Sequence, residues 1–238
     1  MLSCRGLHKR FGALVVLDDV VFDLRAGEVV GIVGPNGAGK TTFLNVLAGS
    51  LRPSAGTVML HGRDVTGLDA ASRSRMGLAR THQIPKPFGA MTVFENVFVA
   101  AANRELFEPG RAYDTCHAAL SACGMLAIAN RRAETLGLMD RKRLELARAL
   151  AAQPKVLLLD EIGGGLTDAE AGELLDIIGG LRGQEIAIIW IEHIMHILVR
   201  AAGRLICMAS GRIIADGKPD QVMADPAVIE AYLGGSAL

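Results

Sequence analysis

The chain has 238 residues, enough for one large α/β domain or a core domain with a smaller appendage. Its 25 basic and 25 acidic residues cancel, so no bulk charge points to nucleic acid or to an anionic membrane surface as partner. Half the residues are hydrophobic and only 4% are aromatic, a balance that fits buried parallel strands packed on helices. No apolar run reaches the ~18 residues of a membrane span, and the opening MLSCRGLHKRFG lacks the apolar stretch of a signal peptide. The four cysteines, Cys4, Cys116, Cys123 and Cys207, form no Cys-x-x-Cys pair, so a cytosolic chain with reduced packing thiols is expected.

Residues 2–10 and 14–24 alternate as a strand pair joined by Phe11-Gly12-Ala13, and Val29–Val33 is a further strand. Phe11, an aromatic beside a glycine at a strand end, is either a core residue or a flat platform for an adenine ring. Gly34-Pro35-Asn36-Gly37-Ala38-Gly39-Lys40-Thr41 follows the strand and precedes Thr42 and a helix over Phe43–Ala48. That is a G-x-x-x-x-G-K-[ST] loop in the strand, loop, helix context its chemistry requires. Glycines let the backbone wrap a phosphate with several N–H groups inward, and the helix behind offers its positive end. Lys40 is expected at the β- and γ-phosphates and the Thr41 hydroxyl on Mg²⁺.

Gly49–Gly56 is turn-rich, Thr57–Leu60 a short strand, Ala70–Met76 a helix, and Leu78–Thr81 a strand running toward Gln83. Ile84-Pro85-Lys86-Pro87-Phe88-Gly89 breaks regular structure and marks the edge of a subdomain. From Thr92 to about Ala152 the pattern is helical, opened by a capping box of Thr92 with Glu95. A helical subdomain over 85–152 is therefore expected, inserted into an α/β core made of 1–84 and 153–238.

Lys155–Glu161 (KVLLLDE) is an apolar strand ending in two carboxylates, as for a buried parallel strand whose charges sit at its carboxyl end. In a phosphate-loop protein the first acid, Asp160, holds Mg²⁺ and the second, Glu161, orients the attacking water; elsewhere both would be solvated loop residues. A helix begins near Asp168, a strand covers Glu185–Ile191 and is followed by Glu192, and His193 stands at its carboxyl end, where ligands bind in doubly wound sheets. Arg204–Ala209 and Arg212–Ala215 form a hairpin turning at Ser210-Gly211, and Pro226–Leu233 a terminal helix.

The phosphate loop, Gln83, a helical insertion, KVLLLDE and a downstream Glu-His, in this order, resemble the ATP-binding subunit of an ABC transporter over essentially the whole chain. FGAL at 11–14, ARTHQ ending at Gln83, MTVFENVFVAA at 91–101, KRLELARAL at 142–150, GGGLT at 163–167 and VIEAYLGG near the end resemble one group within it. That group is the branched-chain amino-acid importer ATPases, specifically the longer of their two paired ATP-binding subunits. The resemblance implies a RecA-like phosphate-loop core with an N-terminal antiparallel β subdomain and an inserted helical subdomain. It implies that Phe11 stacks on adenine, that Gly34 to Thr42 cradle the triphosphate, and that Gln83 reaches Mg²⁺ and the lytic water. It also implies that Asp160 holds the metal, Glu161 polarises water and His193 grips the γ-phosphate. Partners implied are a second ATPase subunit, two transmembrane permease subunits and, indirectly, an external solute-binding protein, with the chain at the cytoplasmic face of the membrane.

Two departures matter. The family's Leu-Ser-Gly-Gly-Gln signature falls on Leu136-Gly137-Leu138-Met139-Asp140, which lacks the serine and the close-approach glycines and adds an anion. Because each signature covers the facing chain's phosphate loop, the expectation is a heterodimer whose damaged site is the opposite one. Thr167 stands where many relatives place an Asp that couples the two sites. The rival readings are a non-transport ABC ATPase and a mainly nucleotide-binding regulatory subunit. A GTPase would want an Asn-Lys-x-Asp motif, and no asparagine here precedes a lysine.

Overall fold

A computed structural model describes residues 1–104, 109–181, 185–192 and 195–234. Strands β1 (Leu2–Phe11) and β2 (Leu14–Leu24) pair antiparallel, closing at Phe11 opposite Leu14 as the alternation predicts. β3 (Val29–Val33) leads through the glycine loop into α1 (Lys40–Ala48). β4 (Ala55–Leu60) and the two-residue β5 (Arg63–Asp64) follow, completing a four-stranded sheet in the order β2-β1-β4-β5. β5 lies outside the sequence expectation, since a two-residue strand carries no periodicity; the turn that makes it is His61-Gly62, both at positive φ. Next come α2 (Ala70–Arg75) and β6 (Leu78–Arg80).

Between β6 and the next strand lie α3 (Val93–Arg104), α4 (Pro109–Ala122) and α5 (Leu138–Ala151). The Thr92–Glu95 capping box is present: the Glu95 N–H donates to Thr92 Oγ1 at 3.1 Å, and the Thr92 N–H donates back to Glu95 Oε2 at 2.7 Å. The segment is less continuously helical than its pattern. Leu126–Ile128 and Ala133–Thr135 are single 3₁₀ turns, and Thr92 bridges to Arg132, because Gly124 and Gly137 interrupt the helical run.

β7 (Val156–Asp160), α6 (Asp168–Leu181), β8 (Ala187–Ile191), α7 (Met195–Ala201), β9 (Arg204–Ala209), β10 (Arg212–Gly217), α8 (Pro219–Met223) and α9 (Pro226–Gly234) complete the chain. The second sheet runs β10-β9-β3-β8-β7-β6, parallel except for the β9–β10 hairpin. Every residue of β3, β7 and β8 is buried. Alternation then divides them between two cores: Val29, Leu157, Leu159, Ile188 and Trp190 face the cluster built with α3–α6, while Val30, Ile32, Val156, Leu158 and Ile189 face the one built with α1 and the antiparallel sheet. Each such side chain contributes about 1.5–3 kcal/mol of burial.

α1 is fixed to the antiparallel sheet by an edge-on Phe22–Phe43 contact at 5.7 Å. Its last turn is capped by the buried Arg73 of α2, which donates to the Val46 and Leu47 carbonyls at 2.7 and 2.8 Å. All four cysteines are buried and unbridged, and burial pushes the Cys4 thiol up to about 12. Among the described residues, no helix is long and apolar enough to cross a membrane.

Candidate nucleotide site

The loop after β3 is shaped by close packing. Gly34 has φ 145° and lies so near β9 that a Cβ there would sit 2.0 Å from the Met208 carbonyl oxygen. Gly39, at φ 98°, occupies the N-cap of α1 with no side chain satisfying the helix's first amides, so those amides are available to an anion. Lys40 is buried and donates to the Gly34 and Pro35 carbonyls at 2.6 and 2.9 Å, which commits two of its three N–H bonds and fixes the ammonium over the loop. Burial lowers its pKa, and the negative charge of Glu161 counteracts that. Around these atoms opens a cavity of about 200 Å³ lined by the loop from Asn36 to Thr42, by Val16 and by Glu161.

The carboxyl end of β7 supplies the acids. Asp160 is 3% exposed; its Oδ2 accepts from Arg80 Nη2 at 2.7 Å, while its Oδ1 is buried with no hydrogen-bond partner. Such an orphaned acceptor costs free energy unless something meets it. Thr41, Asp160 and Gln83 are all oxygen-bearing side chains, the donor type that a small hard cation takes. Glu161 takes the left-handed conformation at φ 48°, rare for a residue with a Cβ and worth about 1 kcal/mol or more of strain. That strain is held from three sides. Its N–H donates to the Ile191 carbonyl at 2.9 Å, and its carbonyl accepts from the Gly164 N–H at 3.3 Å and from buried Lys142 of α5 at 3.4 Å. Its side chain accepts a short hydrogen bond from Gln83 Nε2.

Thus the loop, Asp160, Glu161 and Gln83, scattered over some 120 positions of sequence, stand together. Four further residues belong to this neighbourhood and were not singled out from sequence. Arg80, the last residue of β6, joins Asp160 to Asn45 of α1, donating to Asn45 Oδ1 at 2.5 Å. Glu192 is 2% exposed, accepts from the Gly163 N–H at 2.5 Å and from Trp190 Nε1 at 3.2 Å, and burial raises its pKa. Lys142 lies close enough to Glu192 and Glu161 to feel both charges. Tyr232 of α9 reaches Gly34.

Other expectations fall elsewhere. Phe11 ends β1 with its ring 47% exposed and Lys9 Nζ over one face at 4.8 Å, so it is a surface ring outside the core. His193 lies outside the described residues. Gly137 is the N-cap of α5 without a side-chain cap, Leu138 is exposed, and Asp140 in the first turn stands 3.8 Å from Arg143. Thr167 caps α6, its hydroxyl and N–H both donating to Glu170 Oε2 at 2.9 and 2.8 Å.

A parallel sheet that feeds a glycine loop from β3 into a helix N-terminus, with a carboxylate pair at the end of β7, two strands away, defines a phosphate-loop nucleoside triphosphatase. Residues 17–163 match the family described as ABC transporter, and 212–237 match the branched-chain amino acid ATP-binding cassette transporter family. The chain is 38% identical to the high-affinity branched-chain amino acid transport ATP-binding protein LivG of Salmonella typhimurium, over 98% of each chain. It is 34% identical to the corresponding protein BraF of Pseudomonas aeruginosa, again over 98% of each. A crystal structure of a nucleotide-free ATP-binding cassette from an ABC transporter superposes with a TM-score of 0.88 at 29% identity, covering 98% of each chain. The chain belongs to the ABC transporter ATP-binding family, whose members bind and hydrolyse ATP to power transport.

Proposed function

We propose that this chain is the ATP-hydrolysing subunit of an importer for branched-chain amino acids or related small amino-acid-like solutes. It would work at the cytoplasmic face of the membrane beside two permease subunits, fed by an external binding protein. The observation that carries the hydrolytic part is the Gln83–Glu161 contact at the rim of the phosphate-loop cavity. The cargo class is supported by the LivG and BraF likenesses and by the family match of the C-terminal segment. Residues 85–152 would form the inserted helical unit of the cassette.

In this reading the amides of residues 36–42 and the start of α1 bind the phosphates, and Lys40 neutralises developing charge at the γ-phosphate. Thr41, Asp160 and Gln83 would hold Mg²⁺, which supplies charge neutralisation on the transferring group. Glu161 orients the attacking water and takes its proton, with Gln83 setting the carboxylate's direction. Phe11 would offer the face not covered by Lys9 to adenine, and His193 would contact the γ-phosphate.

The site would be completed by a second, different ATPase chain. The α5 N-terminus here presents exposed Leu138 and an aspartate in its first turn, a poor lid for a facing triphosphate. ATP on this chain's own loop would then be the productive one. Vesicles reconstituted with this chain, its paired ATPase and the permease subunits test both parts. Leucine-loaded binding protein should stimulate turnover several-fold. Glu161→Gln here should stop it, while the matching change in the partner should leave most of it. Equal loss from the two changes would overturn the asymmetry, and stimulation only by unrelated solutes would overturn the cargo.

A further inference from the structure

The C-terminal helix makes a contact that the nucleotide site does not require in general. β3 pairs with β9 up to Val33 opposite Cys207, so the next N–H, that of buried Gly34, lies just past the ladder. A buried backbone donor needs a partner. It donates at 2.8 Å to the hydroxyl oxygen of Tyr232, 198 positions later. α9 is anchored by Val228, 1% exposed and part of the same core cluster as Val33 and Cys207. Tyr232 follows Val228 by one helical turn and therefore shares its face, which aims the ring at the end of β3. Burial and the neighbouring Cys207 raise the phenol's pKa against the opposing Gly34 bond, so the hydroxyl stays neutral and keeps its own hydrogen while it accepts.

The two ends of Gly34 are then both occupied. Its N–H is held by Tyr232 and its carbonyl by Lys40 at 2.6 Å, with the β9 backbone closing the space where a Cβ would be. Resting on the ATP-binding assignment above, we propose that Tyr232 is a positioning residue for the phosphate loop. Its hydroxyl, carried by the C-terminal helix, fixes the Val33–Gly34 peptide on one side of the Gly34 Cα, and Lys40 holds the Gly34–Pro35 carbonyl on the other. The segment bearing it lies within the residues that match the branched-chain cassette family, so the contact ties a feature of that group to a loop shared by all phosphate-loop enzymes. Without the hydroxyl the loop's first peptide is free to reorient, and nucleotide binding must order it again.

Tyr232→Phe in the full chain removes the acceptor and keeps the ring's packing. The expected result is a three- to tenfold rise in the MgATP dissociation constant and in KM, the size of one hydrogen bond's worth of binding. kcat should change by less than about twofold, while the unpaired Gly34 N–H should lower the thermal midpoint of the nucleotide-free protein by only a few degrees, about 2–4 °C for each kcal/mol lost. Hydrogen exchange should speed up at the Gly34 amide while the α9 amides around Val228 keep their protection. Affinity unchanged within twofold would overturn the proposal. So would a loss of affinity accompanied by general loss of protection through α9, since the tyrosine would then be only a structural prop. Wild-type chain that fails to bind MgATP at all would instead overturn the ATP assignment on which this rests.

Discussion

Gln83 Nε2 donates to Glu161 Oε2, joining the end of the β6 connection to the end of β7 across 78 positions of sequence. The contact ties the carboxylate to the connection that leads into the helical segment. Movement of that segment would pull Gln83 and so redirect Glu161, which is how a membrane partner could gate hydrolysis.

Glu161→Gln preserves the side chain's size and its place beside Gln83 but removes the proton acceptor. Phosphate release should fall by about 10²- to 10⁴-fold, with MgATP affinity within about twofold of wild type. Steady-state turnover and equilibrium nucleotide binding measured side by side check this. Turnover near the wild-type rate would take Glu161 out of its role.

Arg80 and Asp160 form a nearly buried ion pair, with the guanidinium's other arm on Asn45. Arg80→Met leaves Asp160 buried without its counter-charge and should cost about 3–5 kcal/mol in unfolding free energy. Arg80→Lys restores charge but cannot reach Asn45 and Asp160 together, so it should recover only part of that loss. Urea unfolding of both variants decides it, and an Arg80→Met chain as stable as wild type would show the pair to be dispensable.

The buried strands, the loop and the acid pair were legible because each has a period or spacing fixed by its own chemistry. β3 and β7 are unbroken apolar runs only because both faces are covered, and Lys40 sits one residue after Gly39 because the helix must start there. Arg80, Glu192 and Lys142 were not legible. A single charged residue has no periodic signature of its own, and its partner is chosen by topology: Arg80 meets Asp160 only because β6 and β7 are neighbours. Tyr232 was quoted only as part of a terminal motif, since nothing local says that its hydroxyl lands on a glycine 198 residues away. Thr167 looked like a lost coupling acid and is also a helix cap, a role its spacing to Glu170 could have disclosed.

Gly34→Ala tests how tightly the loop is built. A Cβ would stand 2.0 Å from the Met208 carbonyl oxygen, in rigid strand backbone, at a φ that alanine rarely adopts. Relief requires moving the loop away from β9, which takes the Gly34 carbonyl from Lys40. The variant should lose about 2 kcal/mol or more of stability and its MgATP binding should fall below detection. Unchanged affinity would mean that the loop tolerates a displacement this packing denies.

Glu192 provides a pH test. Burial raises its pKa above the ordinary glutamate range, opposed by hydrogen bonds from Gly163 and Trp190 and by the charge of Lys142, and reinforced by the charge of Glu161. The folded chain therefore holds this proton more tightly than the unfolded one. The associated stability is fully present below the ordinary glutamate pKa and is lost as pH rises through the raised, folded value. Glu192→Gln keeps an oxygen for both donors, since Gly163 and Trp190 share Oε1, and removes the titration. The unfolding free energy of wild type relative to this variant should decline as pH rises above the ordinary glutamate range. Denaturant unfolding across that range reads the difference. Parallel pH profiles for the two proteins would mean that Lys142 and the two hydrogen bonds already compensate the buried charge in full.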